Sequence, residues 1–479
     1  MIDSSSPVLV GVSTTGVSAN IVDLLEIVMR GAIADSGASS ELAGTIGEIA
    51  TPRGSWSDVN PARTAASRLG ITAPVAIADV GVPQQTLISR ILRRVTSGQI
   101  TAGLVVGVEA RRWLAASGTA SGVVGRSIDD DGTVPPETRL RPYGEIVNAA
   151  EIAAQVWEPV QQYALIDSAL ARADGLTTTA WEAEIDNLWA RWNAVAIGNP
   201  ESAFATPRTA AALRSADHGN RLLAHPYRRF HSTQWNLDQA TALLICSAGT
   251  ARQLGIPTDR WIFPHVSLES SHSLALSSRR ELHRWPAMQV LGEVAAAHLG
   301  GPVSELDHID LYSCFPAAVR VQHRELGLDP TGTHTITGGM PFAGGPFNHS
   351  TLWSTAAMAR RLREDGGRGL VTNVSGLLTK PGLAVWGNEP VSSPLIADLG
   401  AAADERTETL PAIVGYVGTA TAQAATVVAN ADGMEVIVIA ATPAGERCVA
   451  RGATSLVASA LAGELIGATV EINGAAIRA

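Results

Sequence analysis

The sequence predicts an α/β protein with a duplicated core, a helical insertion and a small β-rich terminal region. Three observations lead there. Short apolar runs alternate with amphipathic helical stretches twice, once on each side of a long excursion. That excursion, residues 112–236, gives up the alternation for successive helices. From 405 to 479 the runs turn short and strand-like, over about 75 residues, enough for a core of their own. The expected boundaries are 1–257 for a first half that contains the insertion, 258–400 for a second half, and 405–479 for the terminal region.

The elements follow in order. Residues 8–12 and 46–50 read as strands, and 21–34 as a helix with Ile21, Leu24, Leu25, Val28 and Ala32 on one face. Asn60 and Pro61 cap and open a helix that ends at Gly70. Residues 74–80 read as a central strand and 102–108 as another. Between them lies a helix that begins at Pro83 and stops at Gly98. This is a βαβ unit, so parallel pairing is expected, with ligands at the C-terminal edge of its strands. In the insertion, Asp129 to Gly132 marks exposed loop, and helices are expected over 149–163, 165–172 and 179–196.

Strand character returns over 241–247, and alternation resumes after Gly255-Ile256-Pro257. Residues 261–267 form a strand, 286–299 and 316–326 helices, and 350–363 a further helix. Residues 369–374 and 383–386 are two strands close in sequence. In the terminal region, strand-like runs occur at 413–417, 425–429 and 434–440. A hairpin turn is expected at Asn430 to Gly433, and a helix over 454–465.

Bulk properties narrow the function. A net charge of -10 argues against general nucleic-acid binding and against an anionic membrane surface. No apolar run approaches a membrane span, and the first residues carry no basic segment of a signal peptide. Cys246, Cys314 and Cys448 are far apart and odd in number, which fits a reducing cytoplasm and neither a disulfide framework nor a zinc site. No metal spacing occurs among the eleven histidines. Of 35 basic residues only Lys380 is a lysine; it is either a chance survivor of a bias toward arginine or a retained functional residue.

The stretch from Thr337 to Thr351 is the densest in turn chemistry. Gly338, Gly339, Gly344 and Gly345, with Pro341 and Pro346, separate a β-branched run at 333–337 from the helix near Ser350. Asn348, His349 and Ser350 stand at that helix mouth, where free N–H groups favour an anion. The loop is either a structural connection capped by Asn348 or Ser350, or part of a pocket. Two more segments end strands: Leu311-Tyr312-Ser313-Cys314-Phe315, and Asn373 through Pro381. In a parallel sheet three such loops converge.

The order and spacing of these segments resemble the thiolase superfamily, over roughly residues 7–400. The resemblance is closest to sterol-carrier-protein-type thiolases and to bacterial thiolase-like proteins of type 1, which share an extra C-terminal domain. Thr337 to Pro346 is similar to the family's Ser-Gly-Gly-Leu-x-x-x-Gly-His-Pro. The resemblance implies two βαβαβ halves layered α-β-α-β-α. It also implies coenzyme A or acyl-CoA as ligand and an acyltransferase of the acetyl-CoA acetyltransferase kind.

The residues that carry thiolase chemistry are replaced. The acylated Cys corresponds to Gly81 or Val82; Tyr312-Ser313 stands for His-Asp, Gly345 for the His of Gly-His-Pro, and Ser375 follows Val374 where Cys-x-Gly has its Cys. A thiolate must attack the thioester and leave again, so ordinary ping-pong turnover is not expected.

The remaining catalytic candidates are His349 as a displaced imidazole or an exposed helix-start residue, and Cys314 as a nucleophile or a buried apolar thiol. Ser375 with Asn373 are candidates as carbonyl donors or turn formers, beside Asn348 and Tyr312. Arg228, Arg229 and His231, where the insertion rejoins the sheet, together with Lys380 and the backbone at Gly344 and Gly345, are the expected CoA-binding residues. A second reading has no catalysis of this kind. Thiolase-like subunits lacking the nucleophile work with small hot-dog-fold partners in aldolases that cleave steroid side-chain CoA esters. The resemblance leaves monomer and homodimer both open.

Overall fold

One strand order occurs twice in the computed structural model, which describes residues 2–38, 41–118, 134–430 and 433–478. The first half contributes β1 (Pro7–Thr15), β2 (Ile46–Pro52), β3 (Val75–Ala78), β4 (Ala102–Ala110) and β5 (Thr138–Leu140). The insertion carries the hairpin β6 (Leu222–Ala224) and β7 (Tyr227–Arg228), and β8 (Asp238–Ser247) closes the half. The second half has β9 (Phe263–Glu269), β10 (His308–Asp310), β11 (Arg368–Ser375), β12 (Lys380–Gly387) and β13 (Leu395–Asp398).

In the first sheet the order runs β1-β8-β4-β2-β3-β5, and in the second β10-β11-β12-β9-β13. Within each, the opening strand pairs antiparallel with the closing strand. That closing strand, β8 or β12, pairs antiparallel with β4 or β11, which in turn lies parallel to β2 or β10. β1-β8-β4-β2 and β9-β12-β11-β10 are thus the same motif. The βαβ pairing expected around residues 74–108 is parallel, with β2 between β3 and β4. The closing strands β8 and β12 reverse direction and make both sheets mixed. β3 is not central, since only β2 and the three-residue β5 flank it.

Five layers result. The helices Ile21–Asp35 and Pro61–Arg68 lie on the outer face of the first sheet. Gln84–Thr96 and Ser350–Asp365 lie between the sheets and touch strands of both. Pro286–Leu299 and Pro316–Leu326 cover the second sheet's outer side. The middle layer is closed by Leu87, Ile88, Ile91, Leu352, Ala356 and Ala359, packed against Leu9, Val105, Leu243, Val371 and Trp386. These side chains recur at helical spacing on one element and alternate on the other, which is what burial between two sheets demands. The chain has the α-β-α-β-α layering that the duplicated pattern implies.

The terminal region forms a closed barrel. β14 (Val417–Asn430), β15 (Gly433–Ala441), β16 (Arg447–Gly452), β17 (Thr469–Asn473) and β18 (Ala476–Arg478) pair in the ring β14-β15-β16-β18-β17-β14. β14 and β15 leave Asn430 opposite Gly433; the centre of the expected hairpin turn lies outside the described residues, as does the Asp129–Gly132 loop.

Several local expectations are corrected. Residues 311–315 are irregular, because the strand is β10, three residues earlier. Residues 333–337 are not a strand; they wrap around Asp310, whose carboxylate accepts from the backbone N–H groups of Ile336 and Thr337 and from the hydroxyls of Thr335 and Thr337. The insertion holds one long helix, Pro159–Ala173, where two were expected to meet near residue 164, and Thr178–Gly198 follows. The 454–465 helix shrinks to a 3-10 turn and Val457–Leu461.

Candidate functional site

The C-terminal ends of β2, β3 and β4 lie at one edge of the first sheet, and both middle helices begin there. Their N-termini meet: Gln84 Oε1 accepts the backbone N–H of Thr351 at 2.8 Å. Asn373, near the end of β11, donates its Nδ2 to Thr351 Oγ1 at 2.8 Å, and Gln85 Nε2 donates to Ser267 Oγ at 2.7 Å. A glycine at 382 lets Asn373 and Gln85 approach, since a Cβ there would stand 2.6 Å from Gln85 Cβ and 2.9 Å from Asn373 Cβ. Four buried atoms at this junction have no hydrogen-bond partner: Gln85 Oε1, His349 Nε2, Ser350 Oγ and Asn373 Oδ1. Buried polar atoms are nearly always satisfied, so these four are the atoms at the junction free to bond a water or a polar ligand.

Two of the three loops singled out in the sequence line one cavity; the third, which begins at Asn373, does not line it and reaches the helix mouth through the Asn373–Thr351 bond. Tyr312 and Ser313, Thr337 and Met340, and Ser350 and Thr351 line one cavity. Its volume is about 10 Å³, room for one water. Ser313 Oγ accepts from the Met340 N–H at 3.1 Å and fixes the glycine loop. Gly338 (φ 95°) and Gly339 (φ 78°) sit against Ala196 and Trp192 of the insertion, with 2.4 Å to a would-be Cβ at each. These glycines serve close packing between the insertion and the core.

The predicted residues separate on inspection. Lys380 is 1% exposed at the start of β12 and donates its Nζ to the Gly81 carbonyl at 3.2 Å. Burial lowers its pKa. A role in holding an external phosphate is therefore withdrawn, because the amine is turned inward. It points instead at the loop between β3 and the helix Gln84–Thr96. His349 is 1% exposed, so the exposed helix-start reading falls. Its Cβ lies over Gly107 of β4, where a Cβ would come within 2.3 Å. Burial pushes its imidazole down to about 3, which makes it a neutral hydrogen-bonding group and a poor base near neutrality.

Cys314 is 6% exposed, and burial pushes its thiol up to about 12 beside the hydroxyls of Tyr163 and Tyr312. The nucleophile reading fails for want of thiolate. Tyr312, likewise desolvated, is raised well above its ordinary value. Asn348 spends its Nδ2 on the Arg53 carbonyl at 2.9 Å, tying the loop to the end of β2. Ser375 pairs with Lys380 across β11 and β12. Gly345 leaves no room for a side chain: a Cβ would meet Thr233 Cγ2 at 2.3 Å and Met340 at 3.0 Å. Gly344 (φ 117°) abuts Leu237.

Arg228, Arg229 and His231 belong to a network inside the insertion. His231 Nε2 is 2.8 Å from Asp186 Oδ1 and its Nδ1 accepts the Arg228 N–H at 3.0 Å; burial lowers its pKa. Arg228 NH1 donates to the Asn220 carbonyl. None of these bonds reaches Lys380 or the helix mouths. The link to the glycine loop is through backbone: Gln234 donates its Nε2 to the Arg229 carbonyl and accepts the Gly345 N–H at its own carbonyl.

Three residues at this edge went unpredicted. Gln84 and Gln85 follow Pro83 at a helix mouth, a visible pair of amides where apolar residues would serve packing. Glu109 is fully buried at the end of β4, on the same strand face as Gly107. Burial raises its carboxyl to about 7, against the bonds from Ser55 N–H at 2.9 Å and Ser55 Oγ. One carboxylate in an otherwise apolar strand was the available sign.

No family model and no curated protein matches the chain. Solved structures do. A monomeric SCP2-thiolase-like protein type 1 from Mycobacterium smegmatis superposes with a TM-score of 0.85 at 24% identity, over 99% of this chain and 98% of that one. An Ltp2–ChsH2 (DUF35) aldolase gives 0.61 at 18% identity, covering 80% and 98%. The dimeric peroxisomal thiolase of Saccharomyces cerevisiae gives 0.56 at 16%, covering 81% and 98%.

Proposed function

We propose, for a chain that has the thiolase-superfamily fold, that it binds coenzyme A or an acyl-CoA without carrying out thiolase exchange. One observation carries this reading: Lys380 Nζ occupies the carbonyl of Gly81, in the loop where an acylated cysteine would have to stand. Val82 beside it is apolar and 7% exposed, so that loop offers no nucleophile. The unpartnered His349, Ser350 and Asn373 atoms are the groups available to a ligand carbonyl or amide. A cavity of about 10 Å³ does not admit a pantetheine arm, so acyl-CoA binding requires the loops at 311–313, 337–340 and 350–351 to part.

That requirement favours a second reading, a subunit completed by a small protein partner. One fold neighbour is named as an aldolase assembled with a DUF35 protein, and aldol cleavage needs no thiolate. The experiment is calorimetric titration with CoA, followed by mass spectrometry after incubation with acetyl-CoA. Saturable binding with no acylated peptide is expected. A stable acyl adduct at any residue would refute the loss of nucleophilic turnover. Binding that emerges only with a co-purified small partner selects the second reading. No binding in either state sinks both.

A further inference from the structure

Away from the sheet edge, the helices Pro159–Ala173, Thr178–Gly198 and Pro316–Leu326 line an open pocket of about 580 Å³. That lies within the roughly 300–1,000 Å³ of small-molecule sites. Leu170, Leu176, Leu188 and Leu328 give it an apolar side. The charged residues on its wall are not equivalent. Arg320 is matched by Asp167 and Glu184, and Arg324 by Asp174. Arg191 forms no ion pair among the described residues: its NH2 donates to the Pro330 carbonyl at 3.2 Å, and its buried Nε has no partner.

Neighbouring groups supply no countercharge to Arg191. His323 and His334 bond each other, Nε2 to Nδ1 at 3.0 Å, and burial with nearby His334, Arg191 and Arg320 pushes His323 down to about 3. Asp329 is turned into its own loop by the N–H and hydroxyl of Thr331, each at 2.8 Å. The pocket therefore pairs one uncompensated guanidinium with the leucines on its wall.

We propose that this pocket binds an amphipathic organic anion, with its carboxylate on Arg191 and its aliphatic body against Leu170, Leu176, Leu188 and Leu328. Burying such a tail is favourable in proportion to its area, and a guanidinium–carboxylate pair is among the stronger polar contacts. The site is independent of the sheet-edge junction.

The full chain is titrated with dodecanoate, with dodecan-1-ol and with CoA, read by calorimetry and tryptophan fluorescence. Dodecanoate binds saturably, dodecan-1-ol at least roughly tenfold more weakly, and CoA does not displace it. Arg191→Gln weakens dodecanoate by roughly tenfold. Leu176→Trp, which fills the partly exposed rim, weakens it with far-UV circular dichroism unchanged, and carries the test should Arg191→Gln fail to fold. Equal affinity for acid and alcohol, wild-type affinity in either folded variant, or displacement by CoA overturns the assignment.

Discussion

The Nζ of Lys380 and the carbonyl of Gly81, 299 residues apart in the chain, are 3.2 Å apart in the fold. An ammonium has three donors, and this one bond in a buried place leaves it poorly compensated. Burial therefore lowers its pKa in the folded chain below the 10.5 of the unfolded one. The unfolded state binds more protons between the two values, so folding is helped as pH rises toward 10.5. Wild-type stability should rise, relative to Lys380→Met, between pH 8 and pH 10 in urea melts. A constant difference across that range would show that Lys380 keeps its charge on folding.

His349 gives the opposite end of the scale. Its folded pKa of about 3 lies below the ordinary 6.5, so the unfolded chain takes up a proton that the folded chain refuses. Stability is intact above pH 6.5 and declines as pH falls, by about 1.4 kcal/mol per unit at most. His349→Gln should lose roughly that much less per unit between pH 6 and pH 4. Parallel acid limbs for the two proteins would count against a neutral buried imidazole.

Placing an imidazole at 345 should destabilise the fold. Gly345→His forces a Cβ into Thr233 Cγ2 and Met340, a cost of about 1–3 kcal/mol for overpacking. Thr233→Ala in the same chain should recover part of the loss. A Gly345→His protein with an unchanged urea midpoint would mean that the loop relaxes freely.

All three thiols should be silent toward iodoacetamide at pH 8 in the native protein. Cys246 and Cys314 are raised to about 12 and Cys448 to about 11, each by burial. Three alkylations are expected once urea unfolds the chain, counted by intact mass. A native adduct at Cys314 would show that the segment at 311–315 opens to solvent.

Helices with local punctuation were legible in the sequence. Pro286–Leu299 and Pro316–Leu326 begin at a proline and end before Gly300 and Gly327, whose left-handed φ values of 74° and 65° stop them. The alternation that suggested two halves became the shared strand order of the two sheets. Long-range partners were not legible. Nothing local tells that β5 will cover β3, that residues 333–337 will wrap the Asp310 carboxylate, or that Lys380 will turn inward to Gly81. The glycine loop was found, but its reason was not: Ala196 and Trp192 arrive from an insertion far away in sequence. The unpartnered amides and the near-closed cavity required the fold.

β14 does more than close the barrel. It also pairs with the insertion hairpin, Val428 opposite Ala224, and its Val427 carbonyl accepts the His225 N–H at 2.8 Å. On a ribosome those partners emerge 204 residues apart (428 minus 224), which at ~5–20 residues per second is a wait of ~10–40 s. The pairing between the hairpin and β14 therefore forms only late in synthesis, after the whole core has been made.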